Sequence, residues 1–342
     1  MSSSTMRIQK PGPLTTVQDC GRKGFMAWGV PESGAADGFS LRAANLIAGN
    51  RETDAALEIT LGGFKAEFSR STVLALYGGL CPASLDGKPV RMGEALRVEA
   101  GAMLEIGMIT RGARVYLAVR GGLDVPEVLG SRATYLKAGI GGYLGRALKA
   151  ADELACGPFD EGIPTFRAKD GAEALSLERL EDGACLLRVI PGTMPERFEE
   201  GGLRKLAEGE YVVSPECDRM GIRLAGPAIG HARGADILSG GIEPGAVQVP
   251  GAGSPIILMA DRQTTGGYTK ICSVISADRP KLGQLRPSDR VRFSIVDIMK
   301  AHEELLRRER MLKDLCVSSS PARRFSLTIG TETFAVEVEE LG

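Results

Sequence analysis

Short apolar runs separated by glycine-rich turns dominate the first third of the chain. They alternate apolar and polar residues, or stay apolar throughout, as strands half or fully buried in a sheet do. An Asp86-Gly87 pair between two of the runs is a hairpin signal. Strands this closely spaced predict a barrel or a sandwich. The runs are Ala56–Leu61, Ala66–Phe68, Thr72–Tyr77, Ala83–Leu85, Ala95–Glu99, Met103–Gly107 and Ala113–Val119.

A second set of strand patterns follows a stretch of low periodicity, Gly157–Ala184. We place a domain junction in that stretch, because 342 residues exceed what one hydrophobic core usually supports. The predicted domains are therefore residues 1–170 and 171–296, both mainly β, with a tail over 297–342. The second set comprises Leu186–Ile190, Gly209–Ser214, Ile222–Ala225, Ala246–Pro250, Ile256–Met259, Lys270–Ile275 and Arg290–Ile295.

Helical periodicity is confined to a few segments. One begins after Asp37, an N-cap by residue type, and ends at Gly49, with a single apolar face for packing. Another is the charged stretch Val296–Leu315 in the tail. Beyond a Ser-Pro break, alternation from Arg324 predicts a terminal hairpin. This helix and hairpin are interpreted either as a protein-docking appendage or as ordinary hairpin packing.

Charge and cysteine usage narrow the classes of partner. Lys plus Arg number 42 and Asp plus Glu 43, a net charge of −1, so no global field favours nucleic acid or an anionic membrane. Seven scattered cysteines without a Cys-x-x-Cys pair indicate a reducing compartment. The sequence has no signal-peptide pattern and no long apolar run. We expect a cytoplasmic protein whose partners are small molecules or other proteins.

The scarcity of histidine excludes several chemistries. Only His231 and His302 occur, so we expect no His-rich metal site, and we interpret His231 as a structural or solvent-facing residue. The phosphate-loop motif is missing. The glycines of Gly139–Gly145 miss dinucleotide-binding spacing and lack the βαβ context that such a motif requires.

Polar residues gather where a short apolar strand ends in the second half. The sequence Asp261-Arg-Gln-Thr-Thr-Gly-Gly-Tyr268 follows Ile256–Ala260. Its side chains offer both donors and acceptors, and Gly266-Gly267 allow a ligand to approach the backbone. A solvated turn closing a hairpin is the alternative interpretation of the same residues.

Further candidates lie near other predicted strands. Gln18, Asp19 and Arg22 follow the run Leu14–Val17 in the same manner. Asn45 falls on the predicted helix, as surface or as site. Glu58 lies inside a strand pattern, where exposure is the default for a carboxylate. Arg219 could bind a carboxylate or could simply solvate a strand.

Several motifs, in order, resemble the biotin-dependent carboxyltransferase family, which is also known as allophanate hydrolase subunit 2, as KipA-like, or as the C subunit of 5-oxoprolinase. The resemblance spans roughly residues 6 to 296. Its motifs are Thr15-Thr-Val-Gln-Asp-Cys-Gly-Arg22, Gly29-Val-Pro-Glu-Ser-Gly-Ala-Ala-Asp37, Ala44-Asn-Leu-Ile-Ala-Gly-Asn50, Asp218-Arg-Met-Gly-Ile-Arg-Leu224 and Asp261–Tyr268.

The resemblance implies two cyclophilin-like β-barrels and a choice of three roles. One is carboxyl transfer from carboxybiotin, borne on a partner's biotin carrier, to a urea-like acceptor. Another is a subunit of ATP-dependent 5-oxoprolinase, with ATP used in the partnered complex. The third is a non-catalytic KipA-like module that binds a KipI-type kinase inhibitor. Each role needs a KipI-like partner, resembling allophanate hydrolase subunit 1, so the resemblance implies a hetero-oligomer.

The resemblance also implies roles for the candidate residues. Asp261 would accept a proton or orient the nucleophile, while Gln263, Thr264, Thr265 and the Gly266 backbone would stabilise oxygen charge. The second reactant would be bound by Gln18, Asp19 and Arg22. The set of substrate contacts is completed by Asn45, Glu58, Arg219, Gly266 and Tyr268. No metal enters this scheme.

Overall fold

A computed structural model of the chain describes residues 4–157, 165–169, 177–319, 323–329 and 332–338. The protein is mainly β, as predicted. The junction predicted between residues 170 and 171 falls partly outside these ranges, since residue 170 and those up to 176 are not described. No helix within the described ranges is long and apolar enough to cross a membrane.

The first half of the chain contains two antiparallel sheets. The first sheet has, from edge to edge, β11 (Glu153–Cys156), β1 (Ser4–Pro11), β4 (Gly62–Phe68), β9 (Met103–Met108), β6 (Ala83–Leu85) and β7 (Lys88–Pro89). The second has β2 (Leu14–Gln18), β3 (Ala56–Thr60), β10 (Arg111–Val119), β5 (Thr72–Leu80) and β8 (Ala95–Val98). The resemblance implies a closed barrel here, but these strands form two separate hydrogen-bonded sheets packed on one core.

The second sheet is buried on both faces. Along β10, Val115 and Leu117 enter the core between the sheets, whereas Tyr116 and Ala118 pack on the opposite face with helix α1 (Gly38–Ala48). Successive residues of a strand point to opposite faces, so this alternation is expected. The outer face of the sheet, Tyr116 included, therefore meets a buried layer instead of water.

The second half closes into a seven-stranded barrel, as predicted. In order around the barrel the strands are β13 (Cys185–Pro191), β20 (Lys270–Val274), β17 (Ala246–Gln248), β18 (Ile256–Leu258), β15 (Gly221–Ala225), β14 (Glu210–Cys217) and β21 (Arg290–Ile295). Only β13 and β21 pair in parallel among these strands. A separate two-stranded ribbon joins β16 (Asp236–Gly241) to β19 (Thr265–Tyr268).

Helices and short strands complete the chain. Helix α1 begins after Asp37, whose carboxylate accepts a hydrogen bond from Ser40 N at 2.9 Å, and ends at Gly49 in the left-handed region, both as predicted. The other helices of the described ranges are α2 (Gly202–Glu208), α3 (Arg279–Leu282) and α4 (Ile298–Lys313), with 3-10 turns at Met26–Trp28 and Pro195–Arg197. Two further pairs are β12 (Thr165–Ala168) with β22 (Cys316–Ser319) and β23 (Arg323–Ile329) with β24 (Glu332–Val338).

Candidate functional site

One arginine of the barrel, Arg219, ties the two halves of the chain together. Its Nε and Nη2 donate to the two carboxylate oxygens of Asp261 at 2.9 and 3.0 Å, and its Nη1 donates to Glu58 Oε1 at 2.6 Å. Nη2 also donates to the carbonyl oxygen of Gly34 at 2.6 Å. All three charged side chains are less than a tenth exposed. Charge-assisted, bidentate hydrogen bonds of this kind fix geometry strongly.

Strand pairing in the barrel explains why Arg219 and Asp261 meet. Strand β15 pairs antiparallel with β18, with Gly221 opposite Leu258. The pairing continues past the strand ends, because Met259 N donates to Met220 O and Asp261 N donates to Arg219 O at 2.8 Å. The two residues are thereby held side by side although they lie 42 positions apart in the sequence.

Glu58 reaches the site from the outer face of the second sheet. Its neighbours Leu57 and Ile59 lie in the core, so the alternation of β3 turns Glu58 away from the core and toward the barrel. There Oε2 accepts from Ala36 N at 2.8 Å and from the Tyr116 hydroxyl at 2.7 Å. The exposure expected for Glu58 is wrong, because only 1% of the residue is accessible.

The pKa of Glu58 reflects two opposing effects. Complete burial favours the neutral acid and so raises the pKa. The charges of Arg219 and Arg114 and the hydrogen bonds from Ala36 N and Tyr116 act in the other direction and prevail, so the pKa of Glu58 lies below its ordinary value. Glu58 is therefore an anion in the folded protein.

Three further residues of this network were missed by the sequence analysis. Arg114 Nε lies 3.3 Å from Glu58 Oε1, and Tyr116 pairs with Glu58 across β3 and β10. Gln284, from the loop after α3, donates to Asp37 Oδ2 at 2.8 Å. A signal for the first two was present, since Arg114 and Tyr116 recur at period two in an otherwise apolar strand. No comparable signal singles out Gln284.

The geometry restricts what Asp261 can do. Arg219 and Arg114 supply two positive charges and Glu58 and Asp261 two negative ones, so the buried charges cancel. Arg219 already donates a hydrogen bond to each oxygen of the Asp261 carboxylate. Each of its oxygens nevertheless keeps a further lone pair for a ligand donor. These lone pairs are what the orienting role predicted for Asp261 requires.

Arg22 supplies hydrogen-bond donors in the same electrostatic neighbourhood. Its side chain is fully buried, Nη2 donates to Ala133 O, and its Nε and Nη1 have no hydrogen-bond partner in the described part of the chain. Burial lowers the pKa of Arg22, while the charges of Asp19 and Asp261 raise it in part. Burial, together with the charge of Asp261, also raises the pKa of Tyr135.

Gln18 and Asp19 hold the loop that receives Arg22. Gln18 Nε2 donates to Thr134 O at 3.1 Å, and its Oε1 is without a partner among the residues described. The Asp19 carboxylate accepts from Ser131 Oγ at 2.7 Å, from Arg132 N at 2.6 Å and from Gly21 N at 2.8 Å. These contacts of Asp19 are structural in character, whereas Gln18 retains a buried acceptor.

The rest of the polar segment after Asp261 faces elsewhere. Gln263 and Tyr268 line an open groove of about 510 Å³ on the barrel together with Gln248, whereas Asp261 turns its carboxylate to Arg219. Thr264 O accepts from Ile242 N at 3.1 Å. Thr265 and Gly266 pair with β16 as part of β19. The segment is thus divided between a buried network and a surface groove, because its backbone becomes a strand.

Gly266 is confined by this groove. A side chain there would collide with Ile242 and with Gln248 Nε2 at 2.9 Å, and it would meet Gln263 Nε2 at 3.5 Å. The absence of a side chain lets the amides of Gln248 and Gln263 approach the backbone closely. The approach of a ligand predicted for Gly266 stays a prediction.

Asn45 forms its described hydrogen bonds with the loop after α1 and not with the residues around Asp261. It is fully buried on α1, where Nδ2 donates to Asp54 O at 2.7 Å and Oδ1 accepts from Asn50 Nδ2 at 3.0 Å. Of the two positions predicted for Asn45, helix surface or site, the first is wrong because the helix end is covered by the loop that follows it. Its described contacts stabilise that loop.

The sequence of the chain matches the model of a known protein family. The family model described as "Carboxyltransferase domain, subdomain A and B" matches residues 28–295. A protein of Escherichia coli strain K12, named as the C subunit of 5-oxoprolinase, is 40% identical over 302 residues, 87% of this chain and 94% of that protein. A Haemophilus influenzae protein of the same name is 36% identical over 286 residues, covering 84% of this chain and 89% of that protein.

A solved structure resembles nearly the whole chain. The crystal structure of the Kluyveromyces lactis urea carboxylase superposes with a TM-score of 0.83 and 29% identity. The match covers 99% of this chain and 33% of that one. The present chain therefore corresponds to about a third of that larger protein and to nearly all of the two bacterial ones.

Proposed function

The chain belongs to the carboxyltransferase domain family, subdomains A and B, and we propose that it is the C-type subunit of a 5-oxoprolinase that opens a small cyclic amide at the expense of ATP. The observation that carries this choice is the match, over 87% and 84% of this chain, to two bacterial proteins named as 5-oxoprolinase C subunits.

The polar groups of Asp261 and Arg22 would complement a cyclic amide group. A lactam presents an N–H donor and a C=O acceptor on adjacent atoms. Asp261 keeps lone pairs for the N–H, and Arg22 keeps Nε and Nη1, which find no partner in the described ranges, for the carbonyl oxygen. Polarising the carbonyl with fixed donors in a site of low dielectric would favour attack on it. Glu58, Arg114 and Tyr116 would act indirectly, by fixing Arg219 and thereby Asp261.

The remaining components would come from other polypeptides. A KipI-like subunit, similar to allophanate hydrolase subunit 1, would help to enclose the substrate. ATP would bind in the assembled complex. The enzyme would then be a cytoplasmic hetero-oligomer, and this chain alone would be catalytically incomplete. The groove lined by Gln263 and Tyr268 is available for contact with such a partner or with its ligand.

A second candidate function is carboxyl transfer from carboxybiotin to a urea-like acceptor. The observation that favours it is the likeness of the complete chain to a urea carboxylase structure. Urea and a lactam share the adjacent N–H and C=O groups, so Asp261 and Arg22 would serve either substrate. In this case the biotin would be carried by a partner's carrier domain.

Reconstitution separates the candidates. The chain is co-expressed with its KipI-like partner, and the complex is assayed for 5-oxoproline-dependent ATP hydrolysis and for urea-dependent consumption of carboxybiotin. We expect the first activity. Only the second activity would identify a carboxyltransferase, and a stable complex with neither activity would favour a KipA-like regulatory module that binds a KipI-type kinase inhibitor.

Two variants test the site in that assay. Arg22→Gln should lower kcat by roughly 100-fold, as loss of a fixed donor to a developing oxyanion does, and Asp261→Asn should lower kcat/KM through misoriented substrate. Arg91→Gln is the matched control, because that side chain is 86% exposed. Full turnover by both site variants in a correctly assembled complex would remove Asp261 and Arg22 from the proposal.

A further inference from the structure

A second cavity, whose described lining does not include Arg219, Asp261 or Glu58, lies where three parts of the chain meet. It has a volume of about 380 Å³ and is bounded by the segment Glu32–Arg42, by the barrel loops around Arg262 and Arg279, and by helix α4 at Arg308. We call it the arginine chamber, after Arg262, Arg279 and Arg308. Its volume falls within the range usual for small-molecule sites.

The lining of the arginine chamber is strongly cationic. Five basic residues line it, Lys23, Arg42, Arg262, Arg279 and Arg308, against two acidic ones, Glu32 and Glu309. Glu309 is already bound by Arg42 through two hydrogen bonds of 2.7 and 2.8 Å, and Glu32 lies 3.3 Å from Arg262 Nη2. Arg42 and Arg262 therefore engage both carboxylates, and the lining keeps an excess of positive charge.

Arg308 is a buried cation whose hydrogen-bond donors point at no acceptor. The residue is only 3% exposed, yet none of its three guanidinium nitrogens has a hydrogen-bond partner within the described structure. The nearest carboxylates, Asp278 and Glu178, lie 3.9 Å away, too far for a hydrogen bond. Asp278 is also held by Arg188 at 2.6 Å. The two carboxylates compensate the charge in part, but buried donors without an acceptor are costly unless a ligand completes them.

Arg279 and Ser33 add unfilled donors to the chamber. Among the described residues, neither Arg279 Nε nor Ser33 Oγ finds a partner. Burial lowers the pKa of Arg279, and the neighbouring positive charge of Arg262 lowers it further. Two guanidinium groups that repel one another at the wall of a cavity would be stabilised by an anion between them.

The rest of the lining sets the size and character of the ligand. Phe39, Leu258, Met259, Leu282 and Leu305 give the chamber an apolar side. The guanidinium carbon of Arg308 lies 5.8 Å from the centre of the Phe39 ring, which orients the guanidinium. We propose that the arginine chamber binds a small organic oxyanion, with its charged oxygens on Arg279 and Arg308 and its apolar body against Phe39 and the leucines.

The proposal stands on the chamber alone and not on the proposed function. A carboxylate and a phosphate both match a guanidinium fork, so the test uses probes for each chemistry. Propionate and 5-oxoproline carry a carboxylate, and inorganic phosphate carries the other head group. Each is titrated into the full-length chain by isothermal calorimetry at low ionic strength, since surface charge interactions are screened by salt.

We expect saturable one-to-one binding of at least one probe. Arg308→Met and Arg279→Gln should each weaken it by about tenfold or more, the loss expected for a hydrogen bond to a charged group. Arg91→Gln, on the exposed surface, should leave it unchanged. Binding by phosphate alone would assign a phosphate ligand, and binding by the carboxylates alone a carboxylate.

Stability without ligand provides a second, independent readout. Because the Arg308 guanidinium makes no hydrogen bond in the described structure, Arg308→Met should fold with a Tm close to that of the wild type. Addition of the anion should raise the Tm of the wild type and of Arg91→Gln more than that of Arg308→Met. Absence of binding by all three probes, or equal affinity in the wild type and in both chamber variants, would overturn the proposal.

Discussion

Replacing Glu58 by glutamine removes one negative charge from the centre of the molecule while preserving its shape. The carboxylate receives Arg219 Nη1 on Oε1 and both Ala36 N and Tyr116 Oη on Oε2. A glutamine amide has one acceptor oxygen and one NH₂ group. Whichever way the amide turns, its NH₂ group faces a donor, and Arg219 and Arg114 are left with Asp261 as the only carboxylate in the cluster.

The expected cost is large for one substitution. Breaking a buried ion pair by neutralising one partner costs about 3–5 kcal/mol, because the remaining charge is buried without compensation. Domains of ordinary stability have only about 5–15 kcal/mol in total. Glu58→Gln should therefore fold, but its unfolding midpoint should shift to a much lower urea concentration. The slope of unfolding free energy against urea concentration should stay unchanged.

The pH dependence gives the sharper test. The folded-state pKa of Glu58 lies below its ordinary value of 4.5, so its contribution to stability is fully present above pH 4.5. That contribution is lost as the pH falls through the folded-state pKa. The difference in unfolding free energy between wild type and Glu58→Gln should be constant from about pH 7 to 5 and narrow only below pH 4.5.

The measurement is urea unfolding followed by far-ultraviolet circular dichroism at each pH. Glu105→Gln is the matched control, since Glu105 is a strand glutamate with a lysine partner but a side chain 52% exposed, and its loss should cost at most about 1 kcal/mol. A Glu58→Gln cost no larger than that of the control would show that the buried network contributes no more than a surface pair. A difference that already narrows above pH 5 would show that Glu58 titrates higher than the structure implies.

Two further substitutions probe the same network, each read as a shift in unfolding free energy. Tyr116→Phe removes the hydroxyl that donates to Glu58 and accepts from Asp37 N at 2.8 Å. The buried N–H of Asp37 then loses its partner, which should lower the unfolding free energy by about 1–3 kcal/mol. An unchanged unfolding free energy would show that another group accepts from Asp37 N. Gln284→Leu should cost at least about 3 kcal/mol, because several buried groups lose partners at once. Gln284 Oε1 accepts from Ala113 N and Arg114 N at 2.9 and 3.1 Å where β10 bulges away from β5, and a cost below about 1 kcal/mol would contradict this account.

Local patterns predicted the elements well because their causes are local. The Asp37 cap and the Gly49 end of α1 depend on residues within one helical turn. Asp86 and Gly87 both have positive φ, at 49° and 74°, and close the predicted hairpin between β6 and β7. Such features depend on backbone preferences of adjacent residues and so can be read directly from the chain.

The candidate site was predicted in its members but not in its arrangement. The segment Asp261–Tyr268 appeared as one polar cluster, but the structure separates Asp261 from Gln263 by making the following residues a strand. Whether these residues act in catalysis remains a prediction. Asp261 and Gln263 face different sides because Thr265–Tyr268 pair with β16. Nothing in the segment itself specifies that pairing.

The amino-acid pattern alone was enough to predict a mainly β chain, its capped helix and a set of polar residues at strand ends, whereas the barrel in the second half was implied by the family resemblance. It was not enough to predict that Glu58, expected at the surface, lies 1% exposed beside Arg219, a residue 161 positions away. Burial of a charge depends on which surfaces dock, and docking involves residues far apart in the chain. The same alternating strand would expose its carboxylate to water in isolation, and it buries that carboxylate as half of an ion pair once the barrel covers the sheet.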